Sequence, residues 1–217
     1  EKGGKARAIA KSNIGTGPLS VSACVREFPC DRWLCSVNFI GIDFEMRMAR
    51  LLGEGRAFYH VMSRVVDRRK IFGDREKEVF RRILRNQETF TGVRVVTYCL
   101  MSNHFHLLLE VPEKGTLTPL DEAGLLAVLP LLYDDETVEG VKQELERAHA
   151  AGDDRWHREI LDRYERRRGD LSLFLKELKL RVTLYMNKRL DREGTLWQGR
   201  FKSVLVEGAE SALLTVA

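Results

Sequence analysis

The chain has 217 residues, is 44% hydrophobic and 31% charged, and carries a formal net charge of +4. These are the proportions of a soluble globular chain, sized for one domain or one domain with an insertion. They exclude a membrane-spanning helix, since no apolar run reaches the length a bilayer demands, and four irregularly spaced cysteines exclude a disulfide framework.

Residues 1–45 carry scattered Gly, Ser and Cys with little periodicity. They are expected to be a disordered or non-native extension, with the native start at Met46 or Met48. The N-terminus lacks the charged-then-apolar layout of a secretory signal, so a cytoplasmic location is expected. Cys24, Cys30 and Cys35 lack the paired close spacing of a zinc site.

From 57 to 66, aromatic and β-branched residues predict a first strand. Asp74 is placed to cap a helix running to about residue 90, with Val79, Phe80, Ile83 and Leu84 as its apolar stripe. Residues 93–100 predict a second strand and 104–111 a third. The tight turn at Ser102-Asn103 joins them as a hairpin. Cys99, within the second strand, reads as a buried thiol.

Charge then changes sign. Residues 113–154 hold 11 acidic and 3 basic side chains, whereas 46–112 hold 13 basic and 7 acidic, and 155–202 hold 14 basic and 7 acidic. Basic blocks on either side of an acidic insertion suit a polyanion partner, though solvated helix faces give the same composition. Within the insertion, 124–132 predicts a short helix and 138–150 a longer one. Residues 156–168 continue as a basic helix. Leu171, Phe174, Leu175, Leu178, Val182 and Tyr185 then keep helical spacing to about residue 190. Residues 191–194 read as a turn, 201–206 as a fourth strand, and 210–217 as the start of a last helix.

Strand, helix, strand, strand, helix, strand is the split βαβ order of a ferredoxin-like α+β domain. The expected architecture is a four-stranded antiparallel sheet with helices on one face and a helical insertion over 113–170.

Chemistry points to His104 and His106. Two histidines two apart on a strand share a face, and two imidazoles on one face can hold one divalent ion. Two solvated strand histidines are the plain alternative. His60, on the first strand, is either an accessory group or a satisfied half-buried histidine. Arg64 suits a phosphate contact or a surface ion pair. In Trp197-Gln198-Gly199-Arg200-Phe201-Lys202, aromatics interleave with basic residues. The aromatics offer faces for unstacked bases and the cations meet phosphates; alternatively Trp197 plugs the core. Lys188, Arg189 and Arg192 extend the basic surface, and the run 166–168 adds to it or merely ends a helix.

The segments Tyr59-His60-Val61-Met62-Ser63-Arg64, Asn103-His104-Phe105-His106 and 197–202 follow in that order. Together they closely resemble the single-tyrosine HUH transposases of bacteria, in particular the REP-associated tyrosine transposases, over about 46–217. The resemblance implies His104 and His106 as ligands of Mg²⁺ or Mn²⁺, with Phe105 packed on the opposite face. It implies DNA-binding roles for Arg64, Lys188, Arg189, Trp197, Gln198, Arg200 and Lys202. The implied partner is single-stranded DNA folded into a hairpin, cut and rejoined through a covalent phosphotyrosine. A homodimer and a nucleoid-associated location fit the same family.

In that family the tyrosine lies on a helix after the fourth strand, in a Tyr-Ile-x-x-Asn-Pro stretch whose Asn helps complete the metal site. The matching residues are expected beyond Ala217. Tyr185 is the one substitute nucleophile in reach of the pattern, although its place on the apolar stripe favours core packing. Two other readings stay open: a hairpin-binding derivative without the nucleophile, and an HUH replication or mobilisation initiator. An unrelated metal protein would leave the basic blocks unexplained. No P-loop is present, so no nucleotide cofactor is expected.

Overall fold

A computed structural model describes residues 55–206 of the chain. The expected N-terminal extension, the starts at Met46 or Met48 and the helix over 210–217 lie outside the described residues.

Four strands form one antiparallel sheet: β1 (Ala57–Arg64), β2 (Arg94–Leu100), β3 (His104–Val111) and β4 (Lys202–Val206), in the order β2-β3-β1-β4. β1 pairs with β3 and β4, and β3 pairs with β2. With α1 (Asp74–Thr91) between β1 and β2 and α5 (Leu171–Leu190) before β4, this is the expected ferredoxin-like α+β fold.

The pleat decides what each side of the sheet does. Along β1, burial alternates strictly, with Ala57, Tyr59, Val61 and Ser63 buried and their neighbours half-buried. Tyr59 and Val61 join Phe105, Leu107 and Leu109 of β3 in the main core, against Phe80 and Leu84 of α1 and Phe174, Leu175, Leu178 and Val182 of α5. The helices therefore cover the odd-numbered face of β1 and β3. Phe105 is wholly buried between Phe80 and Trp197.

α1 begins one residue earlier in its capping than expected. Gly73 is the N-cap, and its N–H donates to Glu76 Oε2 at 3.0 Å, leaving Asp74 as the first helical residue. Gly92 closes the helix with φ 71°, the left-handed conformation glycine adopts without Cβ strain.

The insertion folds as helices α2 (Glu122–Val128), α3 (Asp135–Ala150) and α4 (Asp154–Glu165), with a short 3₁₀ turn over Leu129–Leu131. They surround a second core of Leu125, Leu129, Leu145, Ile160 and Tyr164, closed by Phe90 from α1. Aspartates cap each of them. Asp121 accepts from Gly124 N–H at 2.7 Å, Asp134 from Thr137 at 3.0 Å and Asp153 from Trp156 at 2.9 Å. Asp170 does the same for α5, at Leu173 N–H, 2.8 Å. Part of the insertion's acidity is thus helix-start chemistry.

The opposite charges also meet in space. Arg163 pairs with Glu144 at 2.9 Å, Arg168 with Glu165 at 3.0 Å and Arg167 with Glu177 at 2.5 Å. Arg167 and Arg168 are therefore engaged inside the protein rather than forming a free basic run.

Candidate functional site

The even-numbered face of the sheet carries the candidate residues in rows across the strands. Lys202, Met62, His106 and Cys99 occupy one row, in β4, β1, β3 and β2. Val204, His60 and Leu108 occupy the next. Arg64 stands opposite His104. Beyond the end of β1, Val65 bridges Trp197, and the Gln198 N–H donates to the Arg64 carbonyl at 2.9 Å. Gln198 is exposed and its backbone lies beside Arg64. His60, Arg64, His104, His106 and Lys202 thus share one face, with the Gln198 backbone at its edge. Cys99 is half-buried on that face, not the fully buried thiol expected.

Local hydrogen bonds hold the imidazoles. The β2–β3 turn docks against the strand that leaves β1: Val65 N–H donates to Asn103 O at 2.8 Å, and Ile71 and Phe72 N–H donate to Ser102 O at 2.8 and 2.9 Å. The Asn103 side-chain NH₂ donates to Arg68 O at 3.0 Å. That orients its Oδ1 toward His104 Nδ1, 2.6 Å away. His104 therefore carries its hydrogen on Nδ1 and keeps the Nε2 lone pair free. His106 Nδ1 lies 3.0 Å from His60 Nε2, with the two rings stacked at 5.2 Å between centroids. With the hydrogen on His106 Nδ1, its Nε2 is free as well. The rings of His104 and His106 are 5.2 Å apart and nearly perpendicular.

All three imidazoles are held neutral. Burial pushes His106 down to about 4, with the charges of His60, His104 and Arg64 adding to the effect. Burial also lowers His60, and burial followed by the Arg64 charge lowers His104. Neutral imidazole is the form that binds metal, so the donor set fits a divalent ion at His104 and His106. It fits as part of a set. Among the described residues no third His, Cys, Asp or Glu completes a compact trio with this pair. His60 acts on His106 as an orienting partner.

The same shift sets a stability prediction. The unfolded chain takes up a proton at His106 near pH 6.5 and the folded chain only near 4, so stability should fall as pH drops through that window. Denaturant melts of metal-free protein should show the slope, and His106→Gln should flatten it. An unchanged slope would assign the acid sensitivity elsewhere.

The other expected residues fall elsewhere. Trp197 is in the main core, 6% exposed. Its Nε1–H donates to Lys179 O at 3.1 Å and Thr183 Oγ1 at 3.0 Å, and its ring meets Phe72, Phe105 and the Lys179 ammonium. It offers no face to a base, so its expected DNA role is corrected to core packing. Arg189 is bound to the nearly buried Glu76 carboxylate in the helical layer, away from the histidine face. Lys188, exposed on the same last turn of α5, lies in that layer as well. Arg192 donates to the Thr195 carbonyl at 2.8 Å. Arg200 is exposed after the Trp197 bridge, one turn short of β4.

Tyr185 packs against the main core from α5, with the sheet between it and the histidines, which argues against its use as nucleophile. All five tyrosines of the chain lie among the described residues. Tyr59 is in the main core, Tyr98 packs against that core beneath Arg85 of α1, and Tyr133 and Tyr164 belong to the second core. None joins the histidine face. Asn103 is the residue sequence reading undervalued. It was placed in the turn and in the segment that carries the resemblance, without a role of its own, while its position beside His104 is what lets its amide fix the ring.

Residues 55–120, which contain β1 to β3, match the family described as IS200-like transposase. Two solved structures are similar to the chain. One is a REP-associated tyrosine transposase bound to a REP hairpin, with 12% identity, TM-score 0.47, covering 79% of this chain and 68% of that one. The other is described as a candidate transposase from Deinococcus radiodurans R1, with 16% identity, TM-score 0.39, covering 79% and 94%. No curated protein matches the chain.

Proposed function

We propose that the chain binds hairpin-forming single-stranded DNA on its histidine face, as part of DNA transposition. The observation that carries this reading is the gathering of His60, Arg64, His104, His106 and Lys202 on one face, within a domain whose β1–β3 segment matches a transposase family. The three sequence motifs that resemble REP-associated transposases support a hairpin as the substrate form.

Arg64 brings a fixed positive charge to the row of His104, where a phosphate would sit. Lys202 does the same in the row of His106. Gln198 supplies amide donors and acceptors suited to a base edge or a sugar. Asn103 and His60 hold the two ligand histidines in register. A Mg²⁺ or Mn²⁺ ion held by His104 and His106 would supply Lewis-acid polarisation of the scissile phosphate.

Cutting through a phenolate needs a tyrosine on this face, and the five tyrosines here are committed to the two cores or the helical layer. That favours binding without cutting by these 217 residues. The initiator reading shares the histidine chemistry but has no observation in its favour. A DNA partner agrees with a cytoplasmic, nucleoid-associated location, and no described helix is long and apolar enough to cross a membrane.

Fluorescence anisotropy on a labelled DNA hairpin tests the reading. Arg64→Ala, and Arg200→Ala with Lys202→Ala, should weaken binding and lower the salt slope by about one unit per lost phosphate contact. Slopes identical to the parent would show that these side chains do not meet the backbone. Incubation with Mn²⁺ should yield no denaturant-resistant protein–DNA adduct. An adduct would identify a nucleophile within this chain and favour the cutting form. Titration with hairpin also reports one or two chains per DNA, which decides the homodimer.

A further inference from the structure

Away from the sheet, three helices of the insertion bring Glu122, His149 and His157 to one point. Glu122 opens α2, His149 lies in the last turn of α3 and His157 in the first turn of α4. Both imidazoles aim Nε2 at the same carboxylate oxygen, Glu122 Oε2, at 2.7 and 3.0 Å. Their ring centroids are 4.7 Å apart. The three ligand atoms all lie within 4.8 Å of one another, and among the described residues no other trio of His, Cys, Asp or Glu does so.

We propose that Glu122, His149 and His157 form a second metal site, selective for Zn²⁺, that cross-links α2, α3 and α4. The geometry needs little adjustment. Ligands on a tetrahedral zinc with bonds of about 2.0–2.2 Å sit roughly 3.3–3.6 Å apart, close to the spacings that Glu122 already keeps with each histidine. A proton on Nε2 moves to Nδ1 as the metal takes the Nε2 lone pair, so a neutral ring binds without net proton loss. Two imidazoles and one carboxylate select zinc over Mg²⁺ or Ca²⁺, which demand oxygen-rich sets. The side chains of His149 and Glu122 are 58% and 36% exposed, which leaves a fourth position open to water.

A hydrogen-bonded surface cluster explains one His–Glu contact well. A metal ion uses the same convergence further, since it draws three donors from three helices onto one centre. The cross-link joins positions 27 and 35 residues apart in sequence. It lies where the insertion's helices meet beside a second core, so bound metal would stabilise the insertion by mass action. The proposal does not depend on the sheet histidines or on DNA binding.

The test uses tag-free, chelator-stripped full chain, with Co²⁺ as the spectroscopic probe and Zn²⁺ as competitor. To set the sheet site aside, the parent for comparison carries His104→Ala and His106→Ala. That parent should show the visible bands of tetrahedral Co²⁺, bleached by Zn²⁺, and a Tm that rises with Zn²⁺. Adding His149→Ala and His157→Ala should abolish the bands and weaken Zn²⁺ binding by more than about 100-fold, beyond what loss of an outer partner costs. Glu122→Gln, the milder change, should weaken binding at least tenfold with unchanged far-UV circular dichroism. Absence of tetrahedral bands in the parent, or bands indifferent to these substitutions, overturns the proposal.

Discussion

Trp197→Ala should lower the stability of the chain by about 3–5 kcal/mol, the range for emptying a buried aromatic site. The ring closes the core between Phe72 and Phe105, and its loss would also strip the indole donor from Lys179 O and Thr183 Oγ1. Trp197 further anchors the chain between α5 and β4, because its backbone bridges Val65 while Leu196 O accepts from Val66 N–H at 3.0 Å. A loss of that size is a large share of the total stability of a typical domain, so the midpoint of a denaturant melt should move sharply. Trp197→Phe keeps the apolar body and should cost much less. The contrast separates the two roles the sequence leaves open. A base platform would lose hairpin affinity on Trp197→Ala with its stability intact. A core residue loses stability, and its folded fraction still binds.

Much of this architecture is legible in the sequence because it rests on periodicity. The strict alternation in β1 declares one apolar face, and the i, i+3, i+4 stripe of α5 marks its buried side although Leu180, Leu184 and Leu190 stay exposed; both elements formed within a few residues of their expected bounds. The sharing of one face by His104 and His106 follows from the same period of two. His60 and Arg64 joined them through strand pairing, which no local pattern specifies. Side-chain partnership was the part sequence could not supply. Nothing in the local pattern of Arg189 or Arg167 points to their partners Glu76 and Glu177, which are distant in sequence. The helices of the acidic insertion were legible as helices, but their starts were placed a few residues late. The insertion's aspartates at 121, 134 and 153, each three residues before the N–H it accepts, were the available signal for three helix starts.

Glu177→Ala should cost about 3–5 kcal/mol, through the arginine it leaves behind. Arg167 follows the last turn of α4, where its guanidinium reaches Glu177 of α5 through two hydrogen bonds of 2.6 and 2.5 Å. The Tyr133 hydroxyl takes another of its N–H groups. The same guanidinium lies over the rings of Phe90, Tyr133 and Tyr164, 4.7 to 5.8 Å from their centroids. Glu177 also accepts from Gln87 of α1 at 3.2 Å. This one carboxylate therefore ties the helices of the sheet core to the second core. The side chains of both partners are less than a fifth exposed, so removing Glu177 strands a desolvated cation, and water cannot repay the loss in place. Replacing both partners, Arg167→Met with Glu177→Leu, removes the stranded charge and should recover most of the stability. A double-mutant cycle from denaturant melts reads this as a large non-additive term. If Glu177→Ala and the double variant melt alike, the pair contributes no net coupling, and the packing of Phe90 and Tyr164 alone would account for the joint between the cores.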